Sequence, residues 1–176
     1  LVPAINLAGF VLFFLQERFA GLQGEKAAGP AAYATMFVGV LILLTALPAG
    51  WLADRVGKRP VILLSAGLSA AGTLLLLVVP QLTAVYAGAG LIGAGAGLFY
   101  SANWALGTAL VPREQAARYL GISNLAGAGA GAIGAYIGGP IADELGYAFL
   151  FAIYGALFLL AGVTLLGIRE AEPVTI

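Results

Sequence analysis

The stretch Gly50-Trp51-Leu52-Ala53-Asp54-Arg55-Val56-Gly57-Lys58-Arg59-Pro60 holds the densest charge in a chain that otherwise reads as hydrocarbon. Long apolar runs flank it on both sides. A short polar segment between two such runs is a connector between two membrane-spanning helices. Each residue type has a physical use there. Gly50 permits close approach of a neighbouring helix, and Gly57 permits a tight turn. Asp54 is placed to cap a helix N-terminus, where the macrodipole favours an anion. Arg55, Lys58 and Arg59 hold the connector at an anionic membrane surface.

Of the 176 residues, 61% are hydrophobic and 9% charged, whereas a soluble domain carries about 25% charged residues. With a mean hydropathy of +1.01, the chain cannot cover a water-facing surface and reads as an integral, multi-pass membrane protein. Eight basic side chains balance eight acidic ones, so nothing marks a nucleic-acid partner. The absence of Cys removes disulfides and thiol chemistry, and the absence of His removes the commonest metal ligand and general base. Ser101 and Ser123 have no His to activate them, and no Gly-x-Ser-x-Gly elbow occurs. Neither a cofactor nor a metal nor an enzyme activity is expected.

Crossing ~30 Å of hydrocarbon takes about 20 helical residues. By that measure the chain divides into six apolar runs, at about residues 2–15, 32–53, 61–79, 83–111, 119–142 and 148–168. The expected fold is therefore all-α, one six-helix transmembrane bundle over residues 1–176. The first run is short, and the chain is expected to be a fragment that begins inside a helix. Glu17, Arg18, Glu25 and Lys26 fall in the connector at 16–30. Arg55, Lys58, Arg59, Arg113, Arg118 and Arg169 lie at one set of helix ends, against Arg18 and Lys26 at the other. The positive-inside rule then puts the Gly57 connector and both termini in the cytoplasm, with the plasma (inner) membrane as the expected location.

On a helical wheel, Tyr100, Ser101, Asn103, Trp104, Gly107 and Thr108 share one arc of the fourth run, opposite Leu98, Phe99, Ala102, Leu106, Ala109 and Leu110. Polar side chains at membrane depth face a bundle interior or a wet cavity. Asn124 shares a face of the fifth run with Gly127, Gly131 and Gly138, and Asn6 lies on a stripe of the first run with Phe10, Phe13 and Glu17. A single Asn is accounted for by interhelical hydrogen bonding. Three of them, with Tyr100 and Trp104, point to a shared solute cavity, so Asn6, Tyr100, Asn103, Trp104 and Asn124 are the candidate substrate-binding residues. Ser65, Ser69, Gly72 and Thr73 read instead as a packing stripe whose hydroxyls bond to the preceding turn. Phe149, Phe151, Tyr154 and Phe158 read as lipid or interface contacts. Gly93–Gly97 and Gly127–Gly131 are small-xxx-small spacings for close helix packing.

Gly50-x-x-x-Asp54-Arg55-x-Gly57-Lys58-Arg59 resembles the loop motif of the major facilitator superfamily, and it falls where that family carries it, between the second and third helices of a six-helix half. Gly139-Pro140-x-x-Asp143-x-x-Gly146-Tyr147 is a weaker echo at the end of the fifth run. The resemblance implies a secondary transporter (a permease) that moves a small solute by alternating access between two halves. It also implies a conformational latch made of Gly50, Asp54, Arg55, Gly57, Lys58 and Arg59. The fourth run lacks a membrane-embedded Arg and the fifth lacks Gly-Pro-x-x-Gly-Gly, which favours the C-terminal half. The expected partners are the lipid bilayer, a small solute and the missing six-helix half. A self-dimerising half-size transporter and a non-transporting receptor or scaffold on the same fold are the alternative readings.

Overall fold

The computed structural model describes residues 2–110 and 115–166. Val111, Arg113, Arg169 and the expected tail lie outside them. Among the described residues the chain is all-α: α1 (Val2–Arg18), α2 (Ala28–Val56), α3 (Lys58–Val78), α4 (Leu82–Leu110), α5 (Ala116–Leu145) and α6 (Tyr147–Leu166), with a 3-10 turn at Gly24–Ala27. Helices α2 to α6 are each long and apolar enough to cross a membrane. The 17 residues of α1 reach about 25 Å. At 29 or 30 residues, α2, α4 and α5 reach about 43–45 Å, longer than the hydrocarbon core, so they tilt or project from it.

The helices run further than the apolar runs suggest, and the connectors shrink accordingly. Helix α2 continues through Asp54 and Arg55 to Val56 and α3 starts at Lys58, so the connector is the single residue Gly57. Its φ of 92° is one that L side chains avoid. Gly146, at φ 86° and ψ 155°, makes the same turn between α5 and α6. These two turns mark opposite ends of the bundle, called here the Gly57 end and the Gly146 end. Asp54 does not occupy the N-cap of α3: Gly57 does, and it has no side chain to bond to the first-turn amides. Pro30 and Pro60 fall in the first turns of α2 and α3, where a missing N–H costs nothing.

Glu17 and Arg18 likewise belong to α1 rather than to a loop. The Tyr147 N–H, the first of α6, donates to Glu17 Oε2 at 2.7 Å. Arg18 Nη2 donates to the Leu77 carbonyl in the last turn of α3, also at 2.7 Å. Adjacent side chains of opposite charge thus join one helix to two others.

Helices in lipid gain little from mutual burial of apolar surface, so close backbone packing must hold them. Here α4 supplies it with two rows of glycine. Gly88 and Gly95 face α3: a Cβ on Gly88 would lie 2.6 Å from the Gly72 carbonyl oxygen, and one on Gly95 2.6 Å from that of Ser65. Gly93 and Gly97 face α2, where a Cβ would meet Val38 Cα at 2.7 Å and the Ile42 carbonyl oxygen at 2.7 Å respectively. The glycines of α5 are used differently. Gly121, Gly129 and Gly139 have nothing within 4 Å of the position a Cβ would take, whereas Gly138 lies against Phe10 and the Tyr154 hydroxyl.

Two cores result. The larger, at the Gly146 end, draws on all six helices and includes Phe14, Leu15, Leu76, Val85, Leu150 and Phe151. The smaller, at the Gly57 end, holds only α2, α3 and α4 through Ala49, Ala53, Val61, Ile62, Leu98 and Ala102. Phe151 and Tyr154 are core residues, not lipid contacts, at 0% and 3% exposure. The reason is the stacking of Phe151 on Phe14 of α1, with ring centroids 4.5 Å apart. Phe149 is exposed, as the lipid-facing reading requires.

Gly93→Ala is expected to lower stability by about 1–3 kcal/mol, because the added methyl meets fixed backbone. Gly129→Ala is expected to be neutral or stabilising by up to about 1 kcal/mol, because it gains helix propensity at no steric cost. Thermal unfolding of both variants in detergent checks this, and equal melting temperatures would refute the glycine-row account.

Candidate functional site

The polar arc of α4 is positioned by the packing on its other sides. Leu98 and Ala102 are buried between α2 and α3, which fixes the rotation of the helix and turns Tyr100 and Asn103 away from the small core. They line a cavity of about 200 Å³ between α3, α4 and α6. Ser65 and Ser69 of α3, Phe99 of α4 and Phe158 of α6 also line it. The described lining contains no Asp, Glu, Lys or Arg.

The hydroxyl stripe of α3 does what its spacing suggests and more. Ser65 Oγ donates to the Ile62 carbonyl at 2.7 Å, and Thr73 Oγ1 to the Ser69 carbonyl at 2.8 Å, so each is satisfied within its own helix. Ser65, Ser69 and Thr73 are all buried. Yet Ser65 and Ser69 also face the cavity, a role hidden in the sequence because a buried Ser on a packing face and one on a cavity wall have the same spacing. With its proton given to Ile62, Ser65 presents acceptor lone pairs to the cavity. Asn103 adds an amide that can both donate and accept, and Tyr100 adds a hydroxyl. Phe99 and Phe158 make the remainder apolar. This lining suits an uncharged molecule with an apolar face and a few hydrogen-bonding groups.

The five candidate residues do not form one cluster. Tyr100 and Asn103 come together. Trp104, one turn further along α4 from Tyr100, is half-exposed at 49%. Asn6 is buried and its Nδ2 donates to the Gly131 carbonyl at 3.2 Å, tying α1 to α5. Asn124 sits about 10 Å along α5 from Gly131 and is exposed.

The Gly50–Arg59 segment alternates between buried and exposed faces. Ala49 and Ala53 pack into the small core while Trp51, Asp54 and Arg55 are exposed. The Arg55 guanidinium lies over the Trp51 ring, 4.1 Å from its centroid, a cation–π contact. A Cβ at Gly50 would sit 3.3 Å from Ser101 Oγ, so this glycine admits α4 to α2. The segment is therefore in direct contact with the helix that carries Tyr100 and Asn103.

A family model described as Major Facilitator Superfamily matches residues 4–176. The chain belongs to this superfamily. Its members are secondary transporters rather than enzymes. Among curated proteins nothing matches the chain. The family match agrees with the motif, with the all-α architecture and with helices fit to span a membrane.

Within the motif the two glycines differ in what they tolerate. Gly57→Ala is expected to destabilise the protein by about 1–3 kcal/mol, the usual cost of a side chain in a backbone region reserved for glycine. Gly50→Ala is expected to cost less than half as much, because Ser101 Oγ is a rotatable group that needs to yield only a few tenths of an ångström. Paired thermal-unfolding curves check the order, and the reverse order would show that the α2–α4 approach, not the turn, is the constraint.

Proposed function

We propose that this six-helix unit is one half, the C-terminal one, of a secondary transporter that moves a small uncharged solute by alternating access. The observation that carries the reading is the cavity beside α4, where Tyr100 and Asn103, with Ser65 and Ser69, supply hydrogen-bonding groups within a mostly apolar and uncharged described lining. A charged solute would have to be desolvated against that wall at a cost of several kcal/mol. Trp104 and Asn124, exposed on α4 and α5, and Asn6 on α1 are assigned to the rest of the solute path, completed by the second half.

The second half would lie against α2. Tyr33, Phe37, Val40, Leu44, Leu47 and Trp51 are all exposed and recur at alternating spacings of four and three residues. That is the spacing of a seam between two helices. The seam ends at Asp54 and Arg55, which supports the latch reading of Gly50, Asp54, Arg55, Gly57, Lys58 and Arg59: groups at this end would bind the partner half in one conformation and release it in the other. The excess of Lys and Arg at the Gly57 end supports a cytoplasmic location for that end, in the plasma membrane.

Thermal-shift measurements on the whole transporter in detergent, across uncharged polar and amphipathic solutes (hexoses, nucleosides, aromatic amides), test the cavity. At least one is expected to raise the melting temperature of the parent protein and to lose most of that effect in Asn103→Ala and Tyr100→Phe. Undiminished stabilisation in both variants would place the solute elsewhere. For the latch, Asp54→Asn is expected to shift the balance of inward- and outward-facing states, read by site-directed labelling. An unchanged balance would leave the segment as a topology anchor alone.

A further inference from the structure

The two single-glycine turns have nearly the same backbone, yet they differ in what meets the helix that follows. At the Gly57 turn α3 begins with no side-chain cap and no acidic residue in its first turn. At the Gly146 turn α6 begins on the Glu17 carboxylate of α1, bonded to the Tyr147 amide at 2.7 Å. The contact depends on Gly146 twice over. Gly146 adopts φ 86°, and a Cβ there would come within 2.9 Å of Glu17 Oε1. The next residue, Arg18, reaches the opposite kind of helix end, donating to the Leu77 carbonyl where α3 finishes. A carboxylate at a helix N-terminus and a guanidinium at a C-terminus each complement the helix dipole.

We propose that Glu17 and Arg18 form a two-part clasp in which Arg18–Leu77 is the pivot of α1 and Glu17–Tyr147 is the releasable latch. The assignment follows from burial. The Glu17 bond is exposed, so water competes for both partners and the bond can open with little loss. The Arg18 bond is partly buried, and Arg18 Nε is buried with no hydrogen-bond partner, so withdrawing this side chain would also disturb its packed surroundings. The seam between α1 and α6 at this end is lined by Phe10 and Phe13 against Tyr147, with ring centroids 6.0 and 5.6 Å apart. Ring contacts of this kind part without breaking hydrogen bonds. When the latch opens, the first turn of α6 separates from α1 beyond the buried Phe14–Phe151 stack, which holds one turn deeper, while α1 keeps its hold on α3. In the orientation proposed above this is the outer end, so the clasp sets how the outer side opens. That orientation decides only which side of the membrane sees the opening, not which seam opens.

Single-thiol labelling of the whole transporter in both right-side-out and inside-out vesicles tests the clasp, and this chain contributes no cysteine of its own. Ala148→Cys, in the first turn of α6, reports the α1–α6 seam. Leu82→Cys, at the start of α4 beside the end of α3, reports the pivot side. With a membrane-impermeant maleimide, Glu17→Ala is expected to raise labelling at position 148 by roughly tenfold, the change that about 1.4 kcal/mol makes in an opening equilibrium. Labelling at position 82 should stay within a factor of about two. Glu17→Gln keeps an acceptor oxygen for the Tyr147 amide and should give an intermediate rise. Arg18→Gln should raise labelling at position 82 more than at 148. Unchanged labelling at 148 in Glu17→Ala would overturn the latch. Equal rises at both positions in all three variants would overturn the division into latch and pivot, because they signal general loosening. The side on which the rise appears tests the orientation separately: a rise only in inside-out vesicles would reverse the topology and leave the clasp standing.

Discussion

The fold depends on the approach of α4 to α2 and α3 without intervening side chains. In lipid, moving an apolar side chain from acyl chains to a protein neighbour gains little, so helix association rests on dispersion contact and hydrogen bonding at short range. Gly88 and Gly95 on one side and Gly93 and Gly97 on the other let α4 lie backbone-to-backbone against both neighbours. Thr45 uses the proximity: its hydroxyl donates to Leu41 within α2 at 2.6 Å and lies 3.2 Å from the Ala94 carbonyl of α4. Once α4 is locked in rotation and depth, the positions of Tyr100 and Asn103 follow. The site is placed by residues that have no side chain at all.

Among the described residues the two ends of the bundle are packed differently. At the Gly146 end all six helices share a core that includes the stacked pair Phe14–Phe151, and the Glu17–Arg18 pair adds polar ties across it. At the Gly57 end the core formed by the described residues draws on α2, α3 and α4, and the cavity opens between α3, α4 and α6. Loss of packing at one end of a helical bundle leaves side chains without neighbours there, and polar groups such as Asn103 are tolerated because they need not be buried in hydrocarbon.

Much of this is legible in the sequence, for reasons that can be named. The segment from Gly50 to Arg59 carries its own turn, its own charge and a family-specific spacing, so its location between α2 and α3 needs no structure. The self-satisfied hydroxyls of α3 follow from their spacing. The wheel turns the Asn103 arc inward, whereas the structure buries Leu98 and Ala102 of the opposite arc between α2 and α3, because the glycines of α4 bring those two helices to that side. The other departures share a cause. Polar and charged residues suggest helix ends, but a backbone already in a helix continues until something stops it, here Gly57, so Asp54 and Arg55 stay helical. The roles of Glu17 and Arg18 are hidden for a related reason. Their partners, Tyr147 and Leu77, are far away in sequence, and a hydrogen bond to backbone leaves no side-chain signature. Phe151 and Tyr154 pattern as lipid contacts because an aromatic near a helix end looks alike in sequence whether a neighbouring helix covers it or not.

The motif at the Gly57 end and its echo at the Gly146 end share spacing and backbone but not electrostatics. Gly50, Asp54 and Gly57 are matched by Gly139, Asp143 and Gly146 at the same separations, while Arg55 and Lys58 are replaced by Glu144 and Tyr147. At the Gly146 end the positive pole of α6 meets Glu17 from within the bundle, so that turn carries its own countercharge. At the Gly57 end Lys58 and Arg59 open α3 at its positive pole, where a like charge is unfavourable by about 0.3–1 kcal/mol, and the first turn holds no acidic residue. Arg55 turns to the Trp51 ring. The cost of each basic group is modest but has the same sign for all of them, and it falls whenever an anionic group approaches that end of the helix. One turn brings its anion from within the six helices. The Gly57 turn opens α3 with two basic residues and no side-chain N-cap, and that difference in charge, more than the spacing the two motifs share, sets the two ends apart.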